Sequence, residues 1–258
     1  MAIPQRCSLC PVQASSLCGA IGEEAARALS GITHRVRVPP GRTIYGGAHQ
    51  PRSFAILLSG VVKLVIAKPD GRHQIVGLQF PSDFVGRPLS DPPNLSAEAA
   101  TPLELCSFSE RAFEALLAEH PDLERALLAR IAGDLDTARE WTFLLGRTTA
   151  QEKVATLLQI IAERMTQGSG CVHAERPRTI GLSLPISRME MAECLGLRLE
   201  TVSRQLTRLK SHGIIATSGR RRFEILDMDM LKRCASNAYA LSGRLPAAQQ
   251  SVYGSTMP

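Results

Sequence analysis

Nothing in this chain is long and apolar enough to cross a bilayer. The longest greasy run, Phe54 to Ala67, is broken by Ser59, Gly60 and Lys63 and falls short of the roughly 20 residues that a spanning helix needs. The N-terminus, MAIPQRCSLC, has no apolar signal core. A cytoplasmic protein without membrane contact is the expectation. The sequence also lacks a nucleophile–base arrangement and a phosphate-binding loop, so an enzyme is not expected. Net charge is lacking outside one window. The chain carries +6 overall, and Arg198 to Arg222 holds seven Lys or Arg against one acid, Glu200. That window alone accounts for the excess, which points to a polyanion-binding surface rather than a generally basic protein. The seven cysteines are odd in number. In a reducing compartment they are expected to be free, metal-bound or redox-active rather than paired in structural disulfides.

Three of those cysteines, Cys7, Cys10 and Cys18, fall in the run CSLCPVQASSLC. A two-residue gap lets two sulfurs converge on one metal centre, and Cys18 adds a third at longer reach. Metal held by so weak a segment would tie its folding to metal chemistry.

From about 34 to 110 the pattern is short β-rich runs (HRVRV, FAILL, VVKLVIA, HQIVGLQF, LELCSF) between Gly, Pro and Asp turns. Such spacing predicts an antiparallel roll or barrel. Helix follows: Ser109 precedes Glu110–Glu119, and Pro121 sits in the first turn of another. Along it Leu128, Ile131, Leu135, Ala138, Thr142 and Leu145 recur at gaps of three and four. That is a heptad seam suited to pairing with a second copy; the alternative is a helix covering the sheet of its own chain. Charged Arg130, Asp134, Asp136, Arg139 and Glu140 lie off the seam. Thr148 to Met165 reads as a further helix, and 166–178 as a loop. The organisation expected is a cysteine segment over 1–20, a β-roll over 21–120, a dimerisation helix over 121–146, a DNA-binding domain over 147–242 and a disordered tail over 243–258.

Residues 184–215, LPISRMEMAECLGLRLETVSRQLTRLKSHGII, carry the most specific pattern. Ser187 with Glu190 forms a capping box. Met189, Met191, Ala192 and Leu195 supply the apolar side of a short helix, and Gly196 breaks it for a tight turn. A second helix from about Leu199 to His212 ends at Gly213. Val202, Leu206 and Leu209 form its inward stripe, while Glu200, Ser203 and Arg204 project together near its start. Early positions of such a helix read base edges in the major groove. Arg204 suits guanine, Glu200 a cytosine amine, and Ser203 either kind of edge. Arg208 and Lys210 are placed for phosphates, and Arg220, Arg221 and Arg222, at a hairpin tip, would also grip phosphate.

On these residues the chain, from about 20 to 235, resembles the CRP/FNR superfamily of bacterial transcription regulators. ETVSR at 200–204 is similar to the E-x-x-S-R signature of its oxygen-sensing FNR branch. The resemblance implies an α+β fold: an N-terminal antiparallel β-roll (cyclic-nucleotide-binding-like) sensor domain, a long dimerisation helix and a C-terminal winged helix-turn-helix. It implies a homodimer on double-stranded DNA, at inverted repeats of TTGAT-like half-sites, with Glu200, Ser203 and Arg204 reading bases and RNA polymerase recruited by loops such as 86–96. It also implies a [4Fe-4S] cluster as cofactor, held by Cys7, Cys10, Cys18 and a remote Cys106 in LELCSF. The spacing C-x2-C-x7-C has a longer second gap than the enteric form. Read without the resemblance, Cys106 beside Leu105 and Phe108 could equally be a core residue. Cys171 is its rival as fourth ligand, Cys194 reads as structural and Cys234 as incidental. Binding of a cyclic nucleotide is not expected, because FVGRPLSDPPNLSAEAAT lacks an acid after its glycine and a following Arg-Ser pair. Two other regulators of the same fold stay open: one stabilised by zinc, and one sensing through haem with His34, His49, His73, His120 or His173 as ligands. A thiol oxidoreductase built on Cys7-x-x-Cys10 is the third alternative, weakened because that pair precedes any fold.

Overall fold

The computed structural model describes residues 7, 9–46, 53–86, 94–167, 180–218 and 222–235. Arg220, Arg221, Cys171, His49, His173, the greater part of loop 86–96 and the tail expected over 243–258 lie outside the described residues. A short 3-10 turn, Leu17–Gly19, leads into helix α1, Glu23–Ile32. Eight strands follow: β1 His34–Val38, β2 Thr43–Tyr45, β3 Ser53–Ser59, β4 Val62–Ala67, β5 His73–Gln79, β6 Phe84–Val85, β7 Leu95–Ala99 and β8 Leu103–Ser109. They form two antiparallel sheets, ordered β1-β8-β3-β6 and β2-β7-β4-β5. This is the roll read from the alternating runs.

Strand parity decides what each face of the first sheet does. Odd residues Ala55, Leu57, Leu103 and Leu105 pack toward the second sheet with Val62, Ala97 and Ala99. Even residues Phe54, Ile56, Leu58 and Phe108 turn to the other face, with Phe84, Phe113, Leu29, Leu123 and Leu127. Phe108 and Phe113 stack with ring centroids 4.8 Å apart. β3 is therefore buried on both sides, which is why FAILL is continuously apolar rather than alternating. Cys106 shares the parity of Phe108, so it lies on the helix-covered face.

Helix α2, Glu110–Glu119, is capped by Ser109, whose hydroxyl accepts from the Ala112 N–H. Helix α3, Pro121–Arg147, runs for 27 residues. Leu123, Leu127 and Leu144 are buried within the chain. The opposite stripe is open: Leu128, Ile131 and Leu135 are 59%, 43% and 51% exposed, and Ala138 and Thr142 are also exposed. The seam does not cover the chain's own sheet. Helix α4, Ala150–Gln167, starts after a second capping box: Glu152 N–H donates to Thr149 and the Glu152 carboxylate accepts from Thr149 N–H.

The C-terminal unit comprises α4 together with β9 Ile180–Ser183, α5 Arg188–Leu195, α6 Leu199–Ser211, β10 Ile215–Ser218, β11 Arg222–Ile225 and α7 Met228–Ala235. Its sheet is ordered β10-β11-β9. β9 and α7 were not legible in the sequence. β9 has only four residues, two of them Gly181 and Ser183, and its partner lies some 40 positions downstream, Ile225 against Ile180. Met189, expected on the apolar side of its helix, is instead 52% exposed; at the second helical position it points away from Met191, Ala192 and Leu195, which are buried. Among the described residues no helix is long and apolar enough to cross a membrane.

Roll and C-terminal unit share one core. Val61, Val65, Ile75 and Phe80 of the roll join Leu157, Ile161, Met191 and Leu206 in a single apolar cluster. Polar contacts flank it. Lys63 on β4 donates to Glu190 of α5 at 2.9 Å and lies 3.3 Å from Glu98. His73 on β5 lies 3.2 Å from Glu193.

Candidate functional site

The helix-turn-helix is built from the cap upward. Ser187 Oγ accepts from Glu190 N–H at 3.2 Å, and Glu190 returns a bond to Ser187 N–H at 2.7 Å. Burial disfavours the Glu190 charge, but Ser187 and the Lys63 ammonium outweigh it and hold the carboxyl below the usual carboxylate range. Gly196 ends α5 with φ at +61°, a left-handed turn that a side chain would resist. α6 then starts at Leu199. Val202, Gln205, Leu206 and Leu209 are buried against the unit's core, which leaves Glu200, Arg204, Arg208 and Lys210 exposed and Ser203 half-buried. Gly213, φ +68°, closes the helix. Among the described residues Glu200 and Arg204 make no ion pair, so the mutual pairing that their i, i+4 spacing allows is not formed. Arg222 is exposed at the start of β11, on the strand that follows the hairpin tip. Cys194 is buried in the α5 face, and burial next to Glu193 pushes its thiol up to about 12; it is inert packing.

At the other end of the molecule the N-terminal segment folds onto the helix-covered face of the first sheet. Val12 and Leu17 are buried there among the phenylalanines and the first turns of α3. Ser16 Oγ caps the 3-10 turn by accepting from Cys18 N–H at 3.3 Å. Gly19 packs so closely that a Cβ would stand 2.4 Å from the Ala14 carbonyl oxygen. Gly22 N–H donates to Asp122 at 2.8 Å, which ties the segment to the start of α3.

This arrangement brings Cys7, Cys10, Cys18 and Cys106 around one cavity of ≈ 50 Å³, with Ser16, Leu29, Thr33, His34 and Ile56 among the other lining residues. Burial, and the neighbouring sulfurs of Cys106, Cys10 and Cys7, raise the Cys18 thiol to about 11, against a lowering contribution from Ser16. Metal uptake must therefore displace a proton from it. Four thiols converging from two distant stretches of chain suit a soft metal centre. Yet among the described residues no three His, Cys, Asp or Glu side chains are gathered tightly enough for a single ion. One zinc with bonds of about 2.3 Å would need sulfurs about 3.8 Å apart. Of the histidines considered as ligands, His34 lines this cavity. His73 faces Glu193, and His120 precedes α3 at its N-cap.

Comparison with known proteins agrees with the architecture. Residues 152–234 match the Crp-like helix-turn-helix domain and residues 35–120 the cyclic nucleotide-binding domain. A probable transcriptional activator of Rhizobium leguminosarum bv. viciae is 42% identical over 236 residues, which cover 90% of this chain and 94% of that protein. The transcriptional activator protein FnrL of Cereibacter sphaeroides is 38% identical, across 89% and 91% of the two chains. The solved structure of FixK2 from Bradyrhizobium japonicum superposes with a TM-score of 0.67 at 29% identity, covering 78% of this chain and 96% of that one. A β-roll of the cyclic nucleotide-binding type joined through a long helix to a helix-turn-helix is the build of a DNA-binding transcription regulator. The chain belongs to the CRP/FNR family.

Proposed function

We propose that this regulator is an activator that senses oxygen through a [4Fe-4S] cluster held by Cys7, Cys10, Cys18 and Cys106, and that it binds palindromic DNA as a homodimer. The observation that carries the reading is the common cavity: strand parity and the folded N-terminal segment present four thiols to one void. Their spread, too wide for one ion among the described residues, suits a larger iron–sulfur group, which these four thiolates would hold. When bound, the cluster would supply oxygen-labile redox chemistry.

The chain's own residues would do the rest. Holding Cys7, Cys10 and Cys18 in place keeps Val12 and Leu17 packed on Leu123 and Leu127, and so steadies the start of α3. The exposed stripe of Leu128, Ile131, Leu135, Ala138 and Thr142, continued by half-buried Leu145, would then pair with its copy. Two α6 helices would enter successive major grooves of TTGAT-like half-sites. There Glu200, Ser203 and Arg204 would read bases, while Arg208, Lys210 and Arg222, with Arg220 and Arg221, would hold phosphates. The switch requires a difference in free energy between paired and unpaired states, and about 1.4 kcal/mol gives each tenfold in occupancy. Relatives named as activators, the rhizobial protein and FnrL among them, support RNA polymerase as the further partner.

Anaerobic purification tests the cofactor. The expected protein is brown, holds iron and sulfide in equal amounts, and loses both its absorption and its affinity for a TTGAT palindrome in air. Colourless protein containing only zinc would overturn the cluster. The Cys106→Ala variant should fail to assemble it.

A further inference from the structure

Asp83 lies in the turn between β5 and β6, and its carboxylate is 5% exposed. Both of its oxygens are committed. Oδ2 accepts from the Phe80 N–H at 2.8 Å, which fixes the side chain to its own turn. Oδ1 accepts from Arg130 of α3 at 2.5 Å and from Arg164 of α4. Arg130 also reaches Asp134, one helical turn along α3, at 3.3 Å. Arg164 stands over the Phe80 ring, 5.6 Å from its centroid. The turn itself is pinned to β3: Ser82 N–H donates to Leu57 and Leu57 N–H to Asp83, and Ser82 is held at φ +83°. Two guanidiniums and two carboxylates balance in charge, which lets the Asp83 carboxylate stay buried.

One carboxylate thus touches the three parts of the molecule that must act together: the sensory roll, the seam helix and the DNA-binding unit. Arg130 precedes seam residue Ile131, and Asp134 precedes Leu135. We infer that Asp83 is a positioning residue for DNA recognition, fixing the orientation of the DNA-binding unit relative to the seam so that two protomers present their recognition helices at one spacing. It acts through Arg130 and Arg164 and needs no contact with DNA. Arg164 and Phe80 extend the joint into the shared apolar core, where Trp141, the one tryptophan, is packed. Trp141 therefore reports on the joint.

The inference rests on the dimeric DNA-binding reading, so its first measurement uses protein without DNA. In Asp83→Asn, Trp141 emission should shift to the red and acrylamide should quench it more strongly, with helix content by circular dichroism retained. Arg164→Gln, which leaves the Asp83–Arg130 contact in place, should give the same change and serves if Asp83→Asn fails to fold. The second measurement compares two duplexes. A looser joint lowers the effective concentration of the second reader, so affinity for a TTGAT palindrome should fall about tenfold while that for a single half-site moves by less than about twofold. A parallel loss on both duplexes would mean a folding defect and overturn the inference. Unchanged Trp141 signals in both variants would overturn it as well.

Discussion

Arg204 stands free on the solvent side of α6, with Val202 and Leu206 buried behind it. The proposed function gives it one base edge to recognise, and on that reading Arg204→Ala should weaken binding to a TTGAT palindrome by about 1–3 kcal/mol and relax preference at one base pair per half-site. A fluorescence-anisotropy titration against duplexes changed at single positions measures both effects. Uniform weakening on every duplex would move Arg204 to the phosphate class. At this scale much was legible in advance. The capping box of Ser187 and Glu190, the glycine stops at 196 and 213 and the two faces of α6 follow from local spacing alone. Cys106 beside the other three cysteines was legible only through the family resemblance, because parity says which face a strand residue takes and nothing about what covers that face. Asp83 gave no signal either: its partners Arg130 and Arg164 are 47 and 81 positions away.

Among the elements, α3 has the most to answer for. Its buried stripe and its open stripe are both apolar, so the helix must be satisfied twice, once by its own chain and once from outside. Leu135→Glu would put a charge in the outer seam without touching the inner packing, since Leu135 is 51% exposed. The variant should keep its melting temperature and sediment as a monomer, and its affinity for a palindrome should drop by about tenfold or more. A Leu135→Glu protein that stays dimeric would place the interface elsewhere. The heptad gaps made this stripe legible. β9 was hidden for the opposite reason: its pairing is long-range and its four residues carry no period.

Across the whole molecule, the roll and the DNA-binding unit are held together by apolar packing with charged pairs at its edge, and the pairs make the contact sensitive to pH. Glu190 has a lower pKa in the fold than in the unfolded chain. Its contribution is complete above the ordinary value of about 4.3 and is lost as pH falls through the lower folded value. Lys63 is raised: burial opposes its charge, but Glu190 and Glu98 outweigh that. Its contribution is whole below about 10.4 and is lost as pH rises through the higher folded value. Glu190→Gln should therefore destabilise the protein by about 1 kcal/mol at neutral pH. In urea titrations that difference should shrink toward zero in acid below the folded pKa. A gap that persists there would assign the effect to lost packing.

Glu190 spends one oxygen on starting α5 and the other on Lys63. The reading head is therefore not a detachable cassette. A chimaera that transplants residues 148–235 onto a foreign roll would keep the Ser187–Glu190 capping box and leave Lys63 behind, so the other Glu190 oxygen would face the new roll without its ammonium partner. Retargeting this regulator by domain exchange calls for Lys63 and Glu98 to travel with the head. Substituting Glu200, Ser203 and Arg204 in place asks for no such transfer.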